Sequence, residues 1–358
     1  MRKSKKMSKI GGILGAAIMV SLLSVGGSNE FQITSEPEGQ GHPAIYKDIV
    51  VWEDLRNGNG DIYGLNLSTG EEFQVTGDSG DQEIPAVHGD IVVWMDYRNQ
   101  NWDIYGLNLV TKEEFQITKD PDTQWYPAIY GDIVVWHDTR NDQGDIYGYN
   151  LSTGEEFPVT TNRSTQVNPA IYENIVVWED YRNGDWDIYG YNLVTQEEFL
   201  IVSHRDDKFH PAIYGDIVVW QDLRNDNWDI YGLNLLTGEE FQITTEPYSQ
   251  VHPAIYGDTV VWIERIDIKP YVFGYSLSKS EGFRLTTDAG RPDLPAIYGN
   301  TAVWMDLRNG MGDVYGYDLS STILEIQEKI SKNEDNGFCL GTLFVALMIM
   351  GASRLARA

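Results

Sequence analysis

The sequence has little basic charge and only one cysteine. It contains 26 lysine and arginine residues against 54 aspartate and glutamate residues, and its formal net charge is −28. Nucleic-acid binding depends on clustered basic residues, so we expect no nucleic-acid partner. The single cysteine, Cys339, lies in an apolar segment near the end of the chain. The residues before it cannot form disulfides with one another, and packing must stabilise their fold.

The sequence also lacks the motifs of common enzymes. It has no Gly-x-Ser-x-Gly elbow, no His-Glu-x-x-His helix motif, no phosphate-binding glycine loop and no Ser-x-Asp-x-Gly-x-Thr-Trp box. Its many carboxylates recur in equivalent positions, whereas acid–base catalysis needs two groups in different environments. We therefore predict no catalytic residues and a protein that is not an enzyme.

What the sequence does have is a repeat of 42 residues without insertions. Strict self-similarity at this period is typical of β-propeller blades or solenoid units. Seven Pro-Ala steps mark the repeat, at Pro43, Pro85, Pro127, Pro169, Pro211, Pro253 and Pro295. Seven tryptophans keep the same interval and are predicted to be structural core residues: Trp52, Trp94, Trp136, Trp178, Trp220, Trp262 and Trp304.

Each unit contains four short segments rich in valine, isoleucine, tyrosine, tryptophan and threonine, separated by turn signals. This pattern predicts four strands per unit, and no window shows a helical stripe. The Pro-Ala segment is predicted to be the innermost strand, because its invariant alanine suits the crowded centre of a propeller. The apolar Ile91-Val92-Val93-Trp94 segment suits a strand buried between neighbouring blades.

The ends of the repeat distinguish a closed ring from a solenoid. A phenylalanine of the fourth segment recurs from Phe73 to Phe283, and no equivalent follows in the last unit. An extra copy, Phe31, instead stands 42 residues before Phe73. We therefore predict an all-β, seven-bladed propeller of four-stranded blades, in which residues 30–34 complete the last blade and leave no exposed edge.

The two ends of the chain predict export. Residues 1–27 combine a basic start, an apolar run and small residues, as in a signal peptide, with retention as an N-terminal anchor as the alternative. The propeller is assigned to residues 28–322 and a polar linker to 323–337. Residues 338–358 form an apolar segment with a basic end, which is either a sorting signal or a short anchor. We expect an extracellular, surface-held protein that contacts membrane only through its terminal segments.

The repeat unit resembles that of TolB-type propellers. The shared features are a Pro-Ala segment before a strand, an Asp-x-Arg-Asn loop and a following Asp-Ile-Tyr, while Tyr130-Gly131-Asp132 and its equivalents stand where that family has Ser-Pro-Asp-Gly. The resemblance is closest to TolB-like repeats in surface proteins of methanogenic archaea and covers residues 30–320. It implies a propeller fold. The bacterial Tol-system protein has a further N-terminal domain, and we expect none here.

The loop between the second and third segments carries Asp, Arg, Asn and Asp in six units, and residues 264–271 of the sixth unit depart from this pattern. Such oxygen-bearing side chains suit calcium, although an arginine in their midst repels a cation. The alternative is that Asp and Asn cap a hairpin turn while Arg pairs with a carboxylate across blades. The candidate calcium ligands are Asp54, Asn57, Asp61, Asp96, Asn99 and Asp103. No other cofactor is expected.

Aromatic residues occur in the variable parts of the loops. Because they differ between units, they are less suited to core packing than to stacking on sugar rings or anchoring a protein, with packing over a neighbouring hairpin as the alternative. The candidate ligand-binding residues are Trp102, Trp186, Trp228, Trp125 and Tyr126. His42, His210 and His252 share one variable slot, where a metal site or a polar lining are the two interpretations.

These observations predict a secreted, surface-attached, non-catalytic binding module whose loop face recognises a glycan or a protein. One alternative is a structural component of the cell envelope, with calcium adjusting its cohesion. A Tol-system-like periplasmic protein and an enzyme acting on polysaccharide are the remaining alternatives.

Overall fold

The computed structural model describes residues 29–141, 143–286 and 290–326. They form seven antiparallel sheets of four strands, and the innermost strands of successive sheets contact one another around a ring. The predicted seven-bladed β-propeller is confirmed. The strands are β1 (Glu30–Gln32), β2 (Gln40–Tyr46), β3 (Ile49–Asp54), β4 (Asp61–Asn66), β5 (Glu71–Gln74), β6 (Gln82–His88), β7 (Ile91–Asp96), β8 (Asp103–Asn108), β9 (Glu114–Gln116), β10 (Gln124–Tyr130), β11 (Ile133–Asp138), β12 (Asp145–Asn150), β13 (Glu155–Pro158) and β14 (Gln166–Tyr172). They continue with β15 (Ile175–Asp180), β16 (Asp187–Asn192), β17 (Glu197–Val202), β18 (Lys208–Tyr214), β19 (Ile217–Asp222), β20 (Asp229–Asn234), β21 (Glu239–Gln242), β22 (Ser249–Tyr256), β23 (Thr259–Ile266), β24 (Lys269–Ser276), β25 (Glu281–Arg284), β26 (Pro292–Tyr298), β27 (Thr301–Asp306) and β28 (Asp313–Asp318).

The first strand of the chain closes the ring. Blade 1 consists of β2 to β5, blades 2 to 6 follow in the same order, and blade 7 consists of β26, β27, β28 and β1. Strand β1 pairs antiparallel with β28 and sets Phe31 opposite Gly316. Arg308 adds an ion pair of 2.6 Å to Glu30. The predicted closure by the N-terminal segment is therefore confirmed, with the strand itself ending at Gln32.

The core lies between the blades. Val51 and Ile62 of blade 1 pack against Val92 and Trp94 of blade 2, and the other neighbouring blades repeat this contact. Each of the seven repeat tryptophans is at most 4% exposed. Burial of one such side chain contributes about 4–6 kcal/mol before chain entropy is subtracted. The tryptophans predicted to be structural are therefore core residues.

The third strand of each blade needs its glycine. A Cβ at Gly64 would lie 2.7 Å from the ring of Phe73 on the neighbouring outer strand, and the other blades repeat this approach. The phenylalanine ring therefore covers the glycine backbone. This contact explains why a glycine on the third strand and a phenylalanine on the fourth recur together in the sequence.

The propeller is followed by a short helical segment at residues 320–326. Leu319 is buried in the core between blades 6 and 7, and Ile323 packs against it. The boundary predicted at residue 322 lies inside this segment. Residues 1–27 and 338–358 lie outside the described residues, as does most of the predicted linker. In the part of the chain that the structure describes, no helix has the length and apolarity needed to cross a membrane.

Candidate binding site

The hairpin between the second and third strands forms the same polar cluster in blades 1 to 5. In blade 1, the buried carboxylate of Asp54 accepts a hydrogen bond of 2.9 Å from Nε1 of Trp52. Arg56 donates to both of its oxygens, at 2.8 Å and 2.6 Å. These charged hydrogen bonds satisfy a carboxylate that would otherwise be costly to bury.

The arginine links the hairpin to the outer strand of its own blade. Arg56 donates to Glu72 at 2.6 Å, and its guanidinium group lies 4.1 Å from the ring centroid of Tyr63. The expectation that arginine pairs with a carboxylate across blades is therefore wrong. The reason is geometric, since the hairpin and the outer strand of one blade are joined through the third strand.

The loop carboxylates that were candidate calcium ligands are engaged with protein donors. Asp96 is held at both oxygens by Arg98, as Asp54 is by Arg56. The side-chain nitrogen of Asn57 donates to Asp61 at 2.6 Å, and the same contact recurs in blade 2. Within residues 29–141, 143–286 and 290–326, no group of three or more His, Cys, Asp or Glu side chains is arranged to hold a metal ion. The geometry favours the turn-capping interpretation of these loops.

The innermost strand has a bulge in every blade. In blade 1, His42 and Pro43 lie together opposite the single Trp52 of the second strand. The residue before proline has a positive φ of 47–53° in all seven blades, although none of these residues is glycine. Such backbone strain costs on the order of 1–3 kcal/mol and is concentrated at functional sites. We call these seven residues the axial ring: His42, Ile84, Tyr126, Asn168, His210, His252 and Leu294.

The axial ring lines one end of the central channel. Its side chains and the prolines that follow them surround a cavity of about 470 Å³. The fold keeps the backbone constant at this ring, while the side chain changes from blade to blade. The ring therefore offers seven side chains of differing chemistry to whatever enters the channel.

A second ring of aromatic side chains lines the other end of each innermost strand, about 13 Å away at 3.3 Å per residue. Neighbouring ring centroids are 4.4–4.8 Å apart around the full circle. Their interplanar angles of 41–58° bracket the turn of about 51° between blades of a seven-fold propeller, so the ring planes stand along the axis. The members are Tyr46, His88, Tyr130, Tyr172, Tyr214, Tyr256 and Tyr298.

A second variable position supports the axial ring from the neighbouring blade. The Oε1 atom of Glu179 in blade 4 accepts a hydrogen bond of 2.7 Å from the backbone amide of His210 in blade 5. Gln221 does the same for His252 at 3.0 Å. We call this the second-strand position; it directly follows the core tryptophan, and its members are Glu53, Met95, His137, Glu179, Gln221, Ile263 and Met305. Sequence reasoning missed it, although its variation between units was a visible signal.

The three histidines of the axial ring do not converge. The rings of His210 and His252 meet edge to face at 4.5 Å, and Nδ1 of His252 lies 2.7 Å from Oδ1 of Asp293. His42 instead pairs with Glu53 at 2.8 Å. Burial lowers the pKa of His210 to about 4, so its ring is neutral at pH 7. These contacts fit a polar lining better than a metal site.

Glu179 is a buried carboxyl group beside this lining. Its residue is 2% exposed, and burial raises its pKa to about 7 against the opposing effect of hydrogen bonds from Asn168 and the His210 amide. The side-chain nitrogen of Asn168 donates to the same oxygen at 2.9 Å. Glu179 therefore positions two axial-ring residues.

The axial ring extends sideways into a pocket over blades 2 to 4. We call it the lateral pocket; its volume is about 470 Å³, and its walls include Glu83, Trp102, Trp125, Tyr126, His137 and Asn168. Tyr126 is 44% exposed, and the two tryptophans are half-buried. Three of the five predicted ligand-binding residues therefore meet in one concavity.

The other two predicted ligand-binding residues lie elsewhere on the same face. Phe209 stands between Trp186 and Trp228, with ring centroids 5.8 Å and 5.6 Å away. Tyr181 extends this aromatic row beyond Trp186 at 5.1 Å. The row matches the alternative interpretation, in which loop tryptophans pack over a neighbouring blade.

The chain is a seven-bladed β-propeller whose blade-specific residues line one end of its axis. No family model matches the chain, and no curated protein sequence matches it. Solved structures match across most of its length. The chain is similar to oligogalacturonate lyase from Vibrio parahaemolyticus, with a TM-score of 0.64 and 14% identity over 82% of this chain and 94% of that chain.

Two further structures extend this likeness. TolB from Acinetobacter baumannii has a TM-score of 0.53 and 15% identity over 66% of this chain and 62% of that one. The β-propeller domain of the Trilobed protease from Pyrococcus furiosus, which has an open velcro topology, has a TM-score of 0.62 and 11% identity over 80% and 95% of the two chains. At these identities the likeness shows the fold alone, and it includes both enzymes and TolB.

Proposed function

We propose that this protein is a non-catalytic recognition module that binds a glycan or a protein at the mouth formed by the axial ring and the lateral pocket. One observation carries the proposal. Across seven nearly identical blades, the strained axial-ring position and the second-strand position change chemistry, while the core stays constant in all blades and the outer cluster in blades 1 to 5. A position that only packs a repeated scaffold can stay the same in every blade, whereas positions that contact an asymmetric ligand, or support the residues that do, need to differ.

The chemistry of the mouth supports aromatic and hydrogen-bonding contacts. Half-buried Trp102 and Trp125 and exposed Tyr126 offer ring faces, and Asn168 and His252 offer polar groups. Among the described residues that line the two cavities, none is lysine or arginine. The mouth therefore suits neutral or basic partner groups and disfavours polyanions.

The proposal is tested by capture from native envelope extract. The full-length protein should retain a partner that a Trp102→Ala, Trp125→Ala, Tyr126→Ala variant does not retain. A Trp186→Ala, Trp228→Ala variant separates the lateral pocket from the second aromatic row. If the folded wild-type protein captures nothing, recognition is contradicted, and the alternative of a structural envelope component gains weight.

We also propose that the protein is exported and held at the cell surface through its terminal segments. The support is the basic and apolar pattern of residues 1–27 and the apolar, basic-ended pattern of residues 338–358. Protease treatment of intact cells, followed by detection of the propeller, tests this. Protection of the propeller in intact cells and cleavage only after lysis would contradict it.

A second candidate function is turnover of a saccharide at the axial mouth. The specific observation is the His252–Asp293 pair, in which a carboxylate orients an imidazole beside His210. The similar lyase acts on an oligogalacturonate, which is anionic. The mouth of this protein carries the acidic groups Glu83 and Asp293, which would repel an anionic substrate, so a neutral saccharide suits it better. Product formation from neutral oligosaccharides, abolished by His252→Ala, would favour this candidate over simple recognition.

A further inference from the structure

The lateral pocket has the size and the aromatic walls of a site for one small cyclic molecule. Trp125 and Tyr126 are consecutive on the innermost strand of blade 3, and the positive φ of Tyr126 belongs to the bulge that brings both to the mouth. Trp102 enters from the hairpin of blade 2. A cavity of about 470 Å³ with three indole or phenol walls and polar groups between them matches the size of a small-molecule site.

His137 supplies the polar part of this site. It is 5% exposed, lines the pocket and meets Trp125 edge to face at 5.5 Å. Neither of its ring nitrogens has a hydrogen-bond partner among the described residues, and both are closed off from solvent, so a ligand hydroxyl reaches them only after the His137 ring turns toward the pocket. Buried polar groups are almost always satisfied, and an orphaned pair points to a missing partner. Gly144 makes room for the ring, since a Cβ there would lie 2.2 Å from Nε2 of His137.

The protonation of the pocket indicates an uncharged ligand that both donates and accepts hydrogen bonds. Burial lowers the pKa of His137 to about 4, so at pH 7 one ring nitrogen donates and the other accepts. Burial and the nearby charges of Glu53 and Asp81 raise the pKa of Glu83, so an added anion would be repelled. A hydroxyl group, which can donate and accept, matches this environment.

We infer that the lateral pocket binds a neutral hexose ring, stacked on Trp125 and Tyr126 and hydrogen-bonded to His137. This inference rests on the proposed recognition function and specifies the ligand of one part of the same site. Sugar rings combine an apolar face, which stacks on aromatic groups, with hydroxyl groups at the edge. A quaternary ammonium group would also suit an aromatic cage, but it cannot hydrogen-bond and would leave both nitrogens of His137 orphaned.

The test is saturation-transfer NMR of the full-length protein with individual small probes. The probes are the methyl glycosides of glucose, galactose, mannose and N-acetylglucosamine, with galacturonate and choline as the anionic and cationic comparisons. At least one methyl glycoside should bind, and galacturonate should bind at least tenfold more weakly. Preferential binding of choline or galacturonate would overturn the inference, and so would the absence of any glycoside signal.

The variants borrow residues from other blades, so that folding is preserved. Trp125→Val installs the residue that blades 4 and 6 carry there, and His137→Gln installs the residue of blade 5. Each should weaken glycoside binding about tenfold or more at an unchanged melting temperature. The matched control Trp186→Gly, which copies the small residue of blades 1, 3 and 7, should leave it unchanged. Glycoside binding that survives both pocket variants but fails in the control would overturn the assignment to this pocket.

The experiment separates this inference from the broader proposal. Capture of a partner from envelope extract without binding of any glycoside would remove the sugar site and leave recognition at the mouth intact. If a folded protein neither captures a partner nor binds a glycoside, both the recognition function and the sugar site are contradicted. Glycoside binding that competes with the captured partner would unite them in one site.

Discussion

The outer arginine cluster and the axial ring both recur from blade to blade, yet they differ in how constant their residues are. Blades 1 to 5 join Asp, Arg and an outer-strand Glu through the same contacts, as Asp54, Arg56 and Glu72 do in blade 1. The axial ring has one strained backbone conformation and five different residue types in seven blades. Repetition therefore marks structure in this molecule, and departure from repetition marks the candidate site.

Blade 6 shows that the arginine cluster can be replaced. Ile266 stands where the other blades have arginine, and strands β23 and β24 extend to eight residues each. Arg284 of the outer strand lies 3.8 Å over the ring of Tyr271. A longer hairpin and an arginine from another strand thus support this blade, so the loop sequence is a means of holding the hairpin rather than a ligand site.

The largest effect is expected from breaking one constant cluster. Asp222→Ala removes a fully buried carboxylate that accepts from Trp220 and Arg224, and leaves both donors without it. Loss of one partner from such a pair should lower the free energy of unfolding by about 3–5 kcal/mol. Urea unfolding followed by tryptophan fluorescence measures this, with exposed Glu239→Ala as control. A loss below about 1 kcal/mol would remove the structural reading of the cluster.

The next effect is a pH-dependent gain in stability when Glu179, beside the axial ring, is replaced by glutamine. The carboxyl group of Glu179 has a pKa of about 7 when folded and about 4.5 as a model group, so wild-type stability falls as pH rises through this window. Glu179→Gln keeps an oxygen for Asn168 and His210 but carries no charge. The variant should match wild type at pH 4 and be about 3 kcal/mol more stable at pH 8.

Thermal melts between pH 4 and pH 8 check this prediction, with exposed Glu197→Gln as control. A difference that does not change with pH would show that the folded state ionises Glu179 as easily as the unfolded state does. A loss of stability at pH 8 would mean that the charged form is the one that holds the bulge amides.

The strand that closes the ring allows a matched comparison of two glutamates, with an expected effect on stability of intermediate size. Glu30 and Glu72 occupy equivalent positions and both pair with an arginine at 2.6 Å, but Glu30 belongs to the strand that closes the ring. Glu30→Ala should cost about 2 kcal/mol and loosen β1 from β28. Glu72→Ala should cost less, because blade 1 is continuous in the chain. Hydrogen exchange at β28 measures the opening, and equal exchange in the two variants would contradict this account of closure.

The smallest stability effect is expected at the axial ring. Tyr126→Asn installs the residue of blade 4 at a 44% exposed position, so the free energy of unfolding should change by less than about 0.5 kcal/mol. Partner capture should nevertheless fall. A melt and a capture assay on the same preparation separate the two quantities. A large loss of stability would mean that this side chain is part of the scaffold.

The scaffold was predictable because the residues that build it recur at a fixed interval in the sequence. The interval of the tryptophans predicted the blades, and the unpaired Phe31 predicted the closing strand. The bulge left no such trace, since a positive φ is normally marked by glycine and here falls on residues as different as Ile84 and Tyr126. Its strain is imposed by the tertiary fold and overrides local preference.

The candidate site was predictable only in part, for two physical reasons. The second-strand position stands between the apolar segment that ends at the core tryptophan and the polar hairpin loop, so neither pattern points to His137 or Glu179. The distance between blades was also unknown, so Trp102 and Trp186 were predicted to share a ligand although they lie in separate aromatic groups. Comparison of the units position by position would have located the variable residues.

The central claim is that the variable mouth binds while the repeated scaffold only holds it. The most direct test compares capture from native envelope extract by the full-length protein and by a variant carrying Trp125→Val, Tyr126→Asn and His137→Gln. All three substitutions install residues that this protein uses elsewhere in its own ring. The account predicts equal melting temperatures and a partner retained by the wild type alone. Equal capture by both proteins would contradict it.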